Sequence, residues 1–408
     1  MNAGMPRYDL ADDELKPLLA YLKTLSVQPS PGVSDDEIHF STVIQPGVDA
    51  AKRSAMLNVL NGFLHDKNAG TRSEELRKQA GTERMYRSYR KWVLHVWELT
   101  GPAAGWEKQL DAYSAAQPVF AMIGGLGTVS WKPIHEFSER AGIPCIFPEI
   151  SLPVIDGGYY TVYLSKGVFL EAEALAKYLA DKGKQGPVMQ VYRRDDATSV
   201  AAAQSFQRAL SAKTGIQAQD HILEAAQGAA NWQPLTGQKT AATLVLWLTA
   251  QDIRDAEKPI AAESQAQNIF LSSTLLDGKQ QNLASLGDER VHVIYPQDLP
   301  LKRDARLLRI KSWLHNKGIA SSEEKVLMDT YFAVSLTADV VGHMLDVYSR
   351  DFFLERIEHM TGNTVTPSLY PHISLGPDQR FASKGSYIVK PVGEDGKQLK
   401  AVSEWIVP

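Results

Sequence analysis

Short apolar runs that read as strands alternate with amphipathic helical stretches along most of the chain. This alternation restricts the possible folds more than any other feature. Ile38–Ile44, Trp92–Trp97, Pro118–Ile123, Ile143–Phe147 and Tyr159–Leu164 read as successive strands. A helix is predicted over 48–65, with Met56, Leu57, Leu60, Phe63 and Leu64 on one side, and another over 168–181. The pattern then restarts with a strand at 187–192, a helix at 198–213, a strand at 243–248, a helix up to 267, and strands at 269–272 and 291–295. Units of this kind need right-handed crossovers and give parallel sheets with helices on both faces. Two successive runs predict two such lobes. Beyond Leu301 the chain reads as helical, with a long helix over 323–348 and a shorter one over 352–360. Its tail, 364–408, is rich in Pro, Gly and short strands.

Composition narrows the function classes. The chain has 408 residues, 44% apolar and 22% charged, with 43 basic against 47 acidic side chains and a formal net charge of −4. That is a globular composition, and its slightly acidic balance argues against nucleic-acid binding. No stretch reaches the ~18–20 apolar residues of a membrane span. Cys145 is the single cysteine, which excludes an intrachain disulfide, a four-thiolate zinc site and covalent haem attachment within this sequence. It lies inside an apolar strand and reads as a buried, inert thiol.

The first 26 residues form a unit of their own. Leu15, Leu18, Leu19, Leu22 and Leu25 recur at helical spacing, and 27–35 reads as a Pro-rich linker. One amphipathic helix is marginal alone, so its stripe either docks on the main body or belongs to another domain. Asp9, Asp12, Asp13 and Glu14 rule out a signal peptide in this segment. The segment Thr71–Lys91 carries seven basic side chains and reads as a solvated helix with its loop, or as a partner surface.

In open α/β sheets, ligands bind beyond the carboxyl ends of the strands. That rule selects the loops after Ile44, Ile123, Phe147, Tyr192 and Ser272. The loop after the third strand contains Gly125, Gly127, Thr128 and Ser130. Its glycines would admit a ligand to the backbone, and its amides and hydroxyls could hold a carboxylate. A tight strand-to-helix turn would explain the same residues. The loop is no dinucleotide fingerprint, because Ser130 stands where the third glycine would be. Gly237-Gln238-Lys239-Thr240 lacks the earlier glycine of a phosphate loop. No metal-ligand spacing and no nucleophile elbow occur. Trp131, Tyr163, Tyr192 and Trp247 lie near strand ends, where aromatics cover a ligand or simply fill the core.

Ile44-Gln45-Pro46-Gly47, Val119–Gly125, Ile143–Pro148 and Ser374–Phe381 follow one another in an order that resembles the type I periplasmic substrate-binding proteins. The likeness is to the branched-chain amino acid branch that serves ABC transporters. It runs from about residue 36 to the end. It implies an α/β fold of two Rossmann-like lobes joined by three crossovers, with 36–165 and 300–362 in lobe 1, and 166–299 and 363–408 in lobe 2. It implies a periplasmic binding protein and not an enzyme. Its partners would be a small-molecule ligand, held by hinge closure, and an inner-membrane permease. A ligand sensor or regulator with the same fold is the alternative. Carried over, the family's carboxylate site falls on Thr128 and its neighbours; Gln45 at the first strand end and Tyr163 among the strand-end aromatics are further candidate ligand residues. Its ammonium site falls on Glu149 and Ser151. In lobe 2, Thr198 stands where the family often has a tyrosine, and Thr274 where it has an acid. Losing that acid removes a counter-charge, which Glu149 could replace. The resemblance therefore implies a small polar or carboxylate-bearing, amino-acid-like ligand. Ala3–Tyr8, Asp12–Leu15 and Leu19–Lys23 resemble the C-terminal end of a class I cytochrome c, whose axial methionine would be Met5. On that likeness this chain binds no cofactor itself, and haem c and an export signal would lie upstream.

Overall fold

The computed structural model describes residues 11–24, 30–80, 90–183, 186–224, 242–255, 266–278, 289–320, 322–344, 347–364, 366–392 and 398–408. Two sheets organise them. The first has five strands: β1 (Glu37–Ile44), β2 (Lys91–Glu98), β3 (Ala121–Ile123), β4 (Cys145–Ile146) and β5 (Thr161–Val162), in the order β2-β1-β3-β4-β5. All their pairings are parallel. The central strand β3 is buried on both faces, which is why Ala121-Met122-Ile123 reads as an unbroken apolar run.

The second sheet contains β6 (Val188–Arg193), β7 (Gln219–Leu223), β8 (Thr243–Trp247), β9 (Asn268–Ser272), β10 (Val291–Tyr295), β11 (Tyr387–Val392) and β12 (Gln398–Ala401). Its order is β12-β11-β10-β9-β8-β6-β7. The last two strands in sequence join antiparallel, so the Pro- and Gly-rich tail closes one edge of this lobe. β7 escapes sequence patterning because it is an edge strand whose first residues face solvent.

Helices cover both faces of each sheet. On the first sheet, Phe40 and Ile44 pack with Met56 and Leu60 of α2 (Ala50–Ala80). The opposite face, with Val43 and Trp97, packs with α3 (Trp106–Ala116) and α4 (Lys132–Ala141). α2 runs well beyond the expected end at 65, so the first part of the basic segment is helical. α4 starts with Pro133 in its first turn and stops at Gly142, whose left-handed backbone returns its amide to Glu139. In the second lobe, α5 (Val168–Asp181) and α6 (Ala197–Thr214) lie side by side on one face. Asp196 caps α6 by accepting from the Thr198 and Ser199 amides. A helix expected up to 267 is present over 250–255, and its continuation lies outside the described residues.

The chain passes between lobes three times. It leaves β5 for α5 at 163–167. It leaves β10 for α8 (Pro300–Asn316), which packs against the first sheet with α9 (Glu324–Met344) and α10 (Arg350–Thr361). It returns from α10 to β11 over 362–386. These passages are bonded to each other. The Tyr163 amide donates to Arg380 O and the Ala382 amide to Tyr163 O, while the Asp298 amide donates to Leu369 O.

The N-terminal helix α1 (Asp12–Thr24) forms as its stripe predicts. Leu15, Leu18 and Leu19 nevertheless remain 37%, 39% and 44% exposed, so these three do not dock on the main body. Full burial would bring each about 1.5–3 kcal/mol, and the share that belongs to the exposed part is not realised here. Met5 lies outside the described residues. Among those residues, no helix is long and apolar enough to cross a membrane.

Candidate functional site

The three interlobe passages converge on a cleft of about 500 Å³. This is within the range of small-molecule sites, roughly 300–1,000 Å³. Lobe 1 contributes Glu149, Ile150 and Ser151 from the turn after β4, and Lys325 from the first turn of α9. Lobe 2 contributes Ser273, Thr274 and Asp277 around the short helix α7 (Ser273–Leu276). The passages themselves supply Ser165, Gly167, Gln297 and Tyr370, and Arg303 comes from α8. Gly167 is obligatory where it stands. Its φ is +57°, and a Cβ there would sit 2.3 Å from Ser151 O.

Of the expected ligand residues, Glu149, Ser151 and Thr274 meet in this cleft. The glycine loop does not. Gln45 is buried at the end of β1, and its Oε1 accepts from the Thr128 amide at 2.9 Å and the Val129 amide at 3.1 Å. Its Nε2 donates to Ser130 O, and the Thr128 hydroxyl donates to Pro46 O. The amides expected to hold a carboxylate are therefore occupied by a side chain of the same lobe. Gly125 is needed for packing, since a Cβ would sit 2.8 Å from the Trp131 ring; at Gly127 it would meet Ile150. Gln45, Gly125, Gly127, Thr128 and Ser130 thus build a closed turn, the second of the two readings the sequence allowed. Tyr163 is core: its hydroxyl meets His135 Nδ1 at 3.0 Å, and its ring stacks on Phe381. Thr198 lies in the first turn of α6, with its amide on Asp196, away from the cleft. Cys145 is fully buried, and burial pushes its thiol up to about 12.

Charges give the cleft its character. Lys325 Nζ contacts Glu149 Oε2 and lies 3.1 Å from Asp329 Oδ2, one turn along α9. Burial works against the Lys325 charge, but Glu149, Tyr370 and Asp329 outweigh it and hold the ammonium well above its ordinary value. Burial pushes the Asp329 carboxyl up to about 7; Lys325 opposes this and Glu149 adds to it. Across the cleft, Arg303 pairs with Glu324 at 3.1 Å and donates to Tyr295 Oη at 2.9 Å, which in turn donates to Gln297.

A second carboxylate sits beneath the lobe 2 wall. Glu171, in the first turn of α5, is fully buried. It accepts from the Ser272, Ser273 and Thr274 hydroxyls and from the Thr274 amide at 2.9 Å. Burial raises it to about 7 despite these bonds. Thr274, read as the position that lost the family's acid, therefore has an acid behind it.

Lys325, Asp329, Arg303, Tyr370 and Glu171 escape the sequence reading because each comes from an element distant from the loops they meet. The one local signal is Glu323-Glu324-Lys325 at a helix start with Asp329 four residues on, where a cation beside the positive helix end needs a partner. Among the described residues, no group of side chains could hold a metal ion.

No protein-family model matches the chain, and no curated protein matches it in sequence. Solved structures do match. A branched-chain amino acid ABC transporter protein from Thermus thermophilus with bound valine has a TM-score of 0.64 at 12% identity, covering 91% of this chain and 97% of its own. A fatty acid ABC transporter substrate-binding protein from Thermomonospora curvata has a TM-score of 0.63 at 13% identity, covering 94% and 95%. An ABC transporter substrate-binding protein from Desulfitobacterium hafniense in complex with Leu has a TM-score of 0.57 at 15% identity, covering 90% and 100%. The chain has the fold of these proteins, the type I periplasmic binding protein fold.

Proposed function

We propose that this chain is the ligand-binding component of an ABC-type importer, working outside the inner membrane and handing a small solute to a permease. The carrying observation is the cleft of about 500 Å³ where the three interlobe passages meet, in a fold shared with substrate-binding proteins over nearly the whole chain. A cleft bounded by hinges can close around a ligand, exclude water and present a new surface to a partner.

The ligand is read as small, polar and amino-acid-like. Glu149, Ser151 and Thr274, together with Lys325, offer paired charges and hydroxyls. Long apolar ligands find little support in such a lining. Ligand binding raises the melting temperature of a binding protein without turnover. A panel of amino acids, amino acid amides and short carboxylates should therefore contain members that stabilise the chain in a thermal shift assay. No shift across the whole panel would reject the amino-acid-like reading. Steady conversion of a bound member to product would reject the non-enzymatic one.

A further inference from the structure

Glu171 is a fully buried carboxylate held by donors that carry no charge. Its Oε1 accepts from the Ser273 hydroxyl at 2.7 Å, the Thr274 hydroxyl at 2.8 Å and the Thr274 amide at 2.9 Å, and its Oε2 accepts from the Ser272 hydroxyl. An ionised carboxylate accepts at about four lone-pair sites and donates nothing, so this set of donors matches it. Ser273 and Thr274 line the cleft, yet both give their protons to Glu171 and turn only lone pairs outward. Charged and titratable side chains of the surrounding elements have other partners or face solvent. Glu173 of α5 pairs with Lys166, Asp277 after α7 pairs with Lys52, and Asp196 caps α6. His292 Nδ1 of β10 meets Arg290 O, Tyr295 of β10 donates to Gln297, and Tyr178 of α5 packs on Phe270. Arg208 and Lys213 of α6 are exposed.

The cationic donors of the cleft are engaged as well. The three ammonium protons of Lys325 meet Glu149, Asp329 and Tyr370, and Arg303 is held by Glu324 and Tyr295. The amides of the glycine loop belong to Gln45. A carbonyl or carboxylate oxygen, which every amino-acid-like ligand carries, therefore needs a donor released for it. We propose that ligand entry is coupled to protonation of Glu171: the acid then donates to Thr274 Oγ1, and the Thr274 hydroxyl turns into the cleft to donate to a carbonyl or carboxylate oxygen of the ligand. The inference rests on the cleft being the ligand site, as proposed above.

The proton comes from the buffer. Protonation removes one acceptor site from Glu171 and adds a donor, so one hydroxyl has to turn round. Ser272 is 1% exposed, lies outside the cleft lining, and its oxygen already accepts the Leu275 amide at 3.1 Å. A proton displaced there would be buried, and buried donors need acceptors. Thr274 is half-buried at the cleft, so its proton passes directly to a ligand. Burial brings the exchange within reach, because it raises the Glu171 carboxyl to about 7 in spite of its hydrogen bonds. A ligand oxygen on Thr274 favours the protonated form further. Binding therefore takes up a proton and strengthens as pH falls toward about 7.

Isothermal titration tests this with leucine, leucinamide and 4-methylpentanoate, and with the same three forms of the phenylalanine and serine side chains. A member that binds the wild type should lose about tenfold in affinity from about pH 6 to about pH 8. Heats measured near pH 7 in two buffers of different ionisation enthalpy should show net proton uptake. Glu171→Gln should remove both effects, leaving only what the ligand's own groups contribute. Thr274→Val should remove the affinity gained at low pH, a change that a merely structural role of Glu171 would not produce. Asp329→Asn should leave the uptake in place, which separates Glu171 from the other acid raised to about 7. Should Glu171→Gln or Thr274→Val fail to fold, uptake in the wild type and its persistence in Asp329→Asn still decide. Proton release, or no proton exchange, in the wild type would overturn the inference and leave the binding-protein reading standing. Unchanged uptake in folded Glu171→Gln, or an unchanged pH dependence in folded Thr274→Val, would also overturn it. If no member of any set binds, the proposed function falls and the inference with it.

Discussion

Glu171 shows how much one buried residue settles in this protein. It gathers three hydroxyls and one amide, and so fixes the turn from β9 into α7 that forms the lobe 2 wall of the cleft. Its environment also has a cost that depends on pH. The carboxyl is raised from 4.5 to about 7 by burial, so between those values the folded chain holds a proton that the unfolded chain has lost. The stability tied to that proton is fully present below 4.5 and is lost as pH rises through about 7. The melting temperature should fall across this window, and Glu171→Gln should flatten the fall. Asp329 titrates in a similar range and should leave part of the slope. A slope identical in variant and wild type would exclude Glu171 as its source.

At the scale of elements, α10 shows how a helix of lobe 1 is locked to strands it does not join. Arg350, its first residue, donates to the carbonyls of Val119 at 2.7 Å, Phe120 at 3.1 Å, Gly142 at 3.0 Å and Ala141 at 3.3 Å. It thus gathers the entrance of β3 and the end of α4 under one guanidinium. Burial lowers its pKa to about 10, yet it stays charged at neutral pH. Each buried acceptor left unpaired costs roughly 1–3 kcal/mol. Arg350→Met should therefore destabilise the chain by about 3 kcal/mol or more in urea denaturation. Arg350→Lys should recover only part, because a single ammonium lacks the fork that spans several carbonyls. A loss in Arg350→Met of less than about 1 kcal/mol would mean that packing, not this clamp, holds α10 in place.

At the scale of the whole molecule, an ion pair bridges the two lobes across the cleft mouth. Lys52 of α2 donates to both oxygens of Asp277 at 2.7 Å, in the turn after α7. The pair is partly exposed, which limits it to about 0–1 kcal/mol and makes it sensitive to salt. On the proposed hinge closure, that is enough to bias an open–closed equilibrium. Lys52→Met should shift the population toward the open form, seen as a larger radius of gyration in small-angle scattering. Affinity for a cleft ligand should fall by up to about fivefold. Unchanged scattering and affinity would show that the pair does not bias closure.

Strand and helix order was legible in the sequence because each element carries its own period. Ile38–Ile44, 168–181 and 291–295 bury a face or a whole run, and that burial is written locally in residue type. α3 and β7 were not legible, since one is a short helix between strands and the other a largely polar edge. The candidate site was legible only in part. Glu149, Ser151 and Thr274 lie in loops selected by the rule that ligands meet strand ends, and the family resemblance singled them out there. The glycine loop obeys the same rule, but Gln45, more than eighty positions upstream, takes its amides. Lys325 reaches Glu149 across 176 positions, and Glu171 reaches Thr274 across 103. The sequence alone therefore determined the alternation, the two lobes and the places where a ligand could enter. Only the tertiary structure decided which donors remain free there, because hydrogen bonds and charges are satisfied by whichever groups the fold brings within about 3 Å, however far apart they lie in the chain.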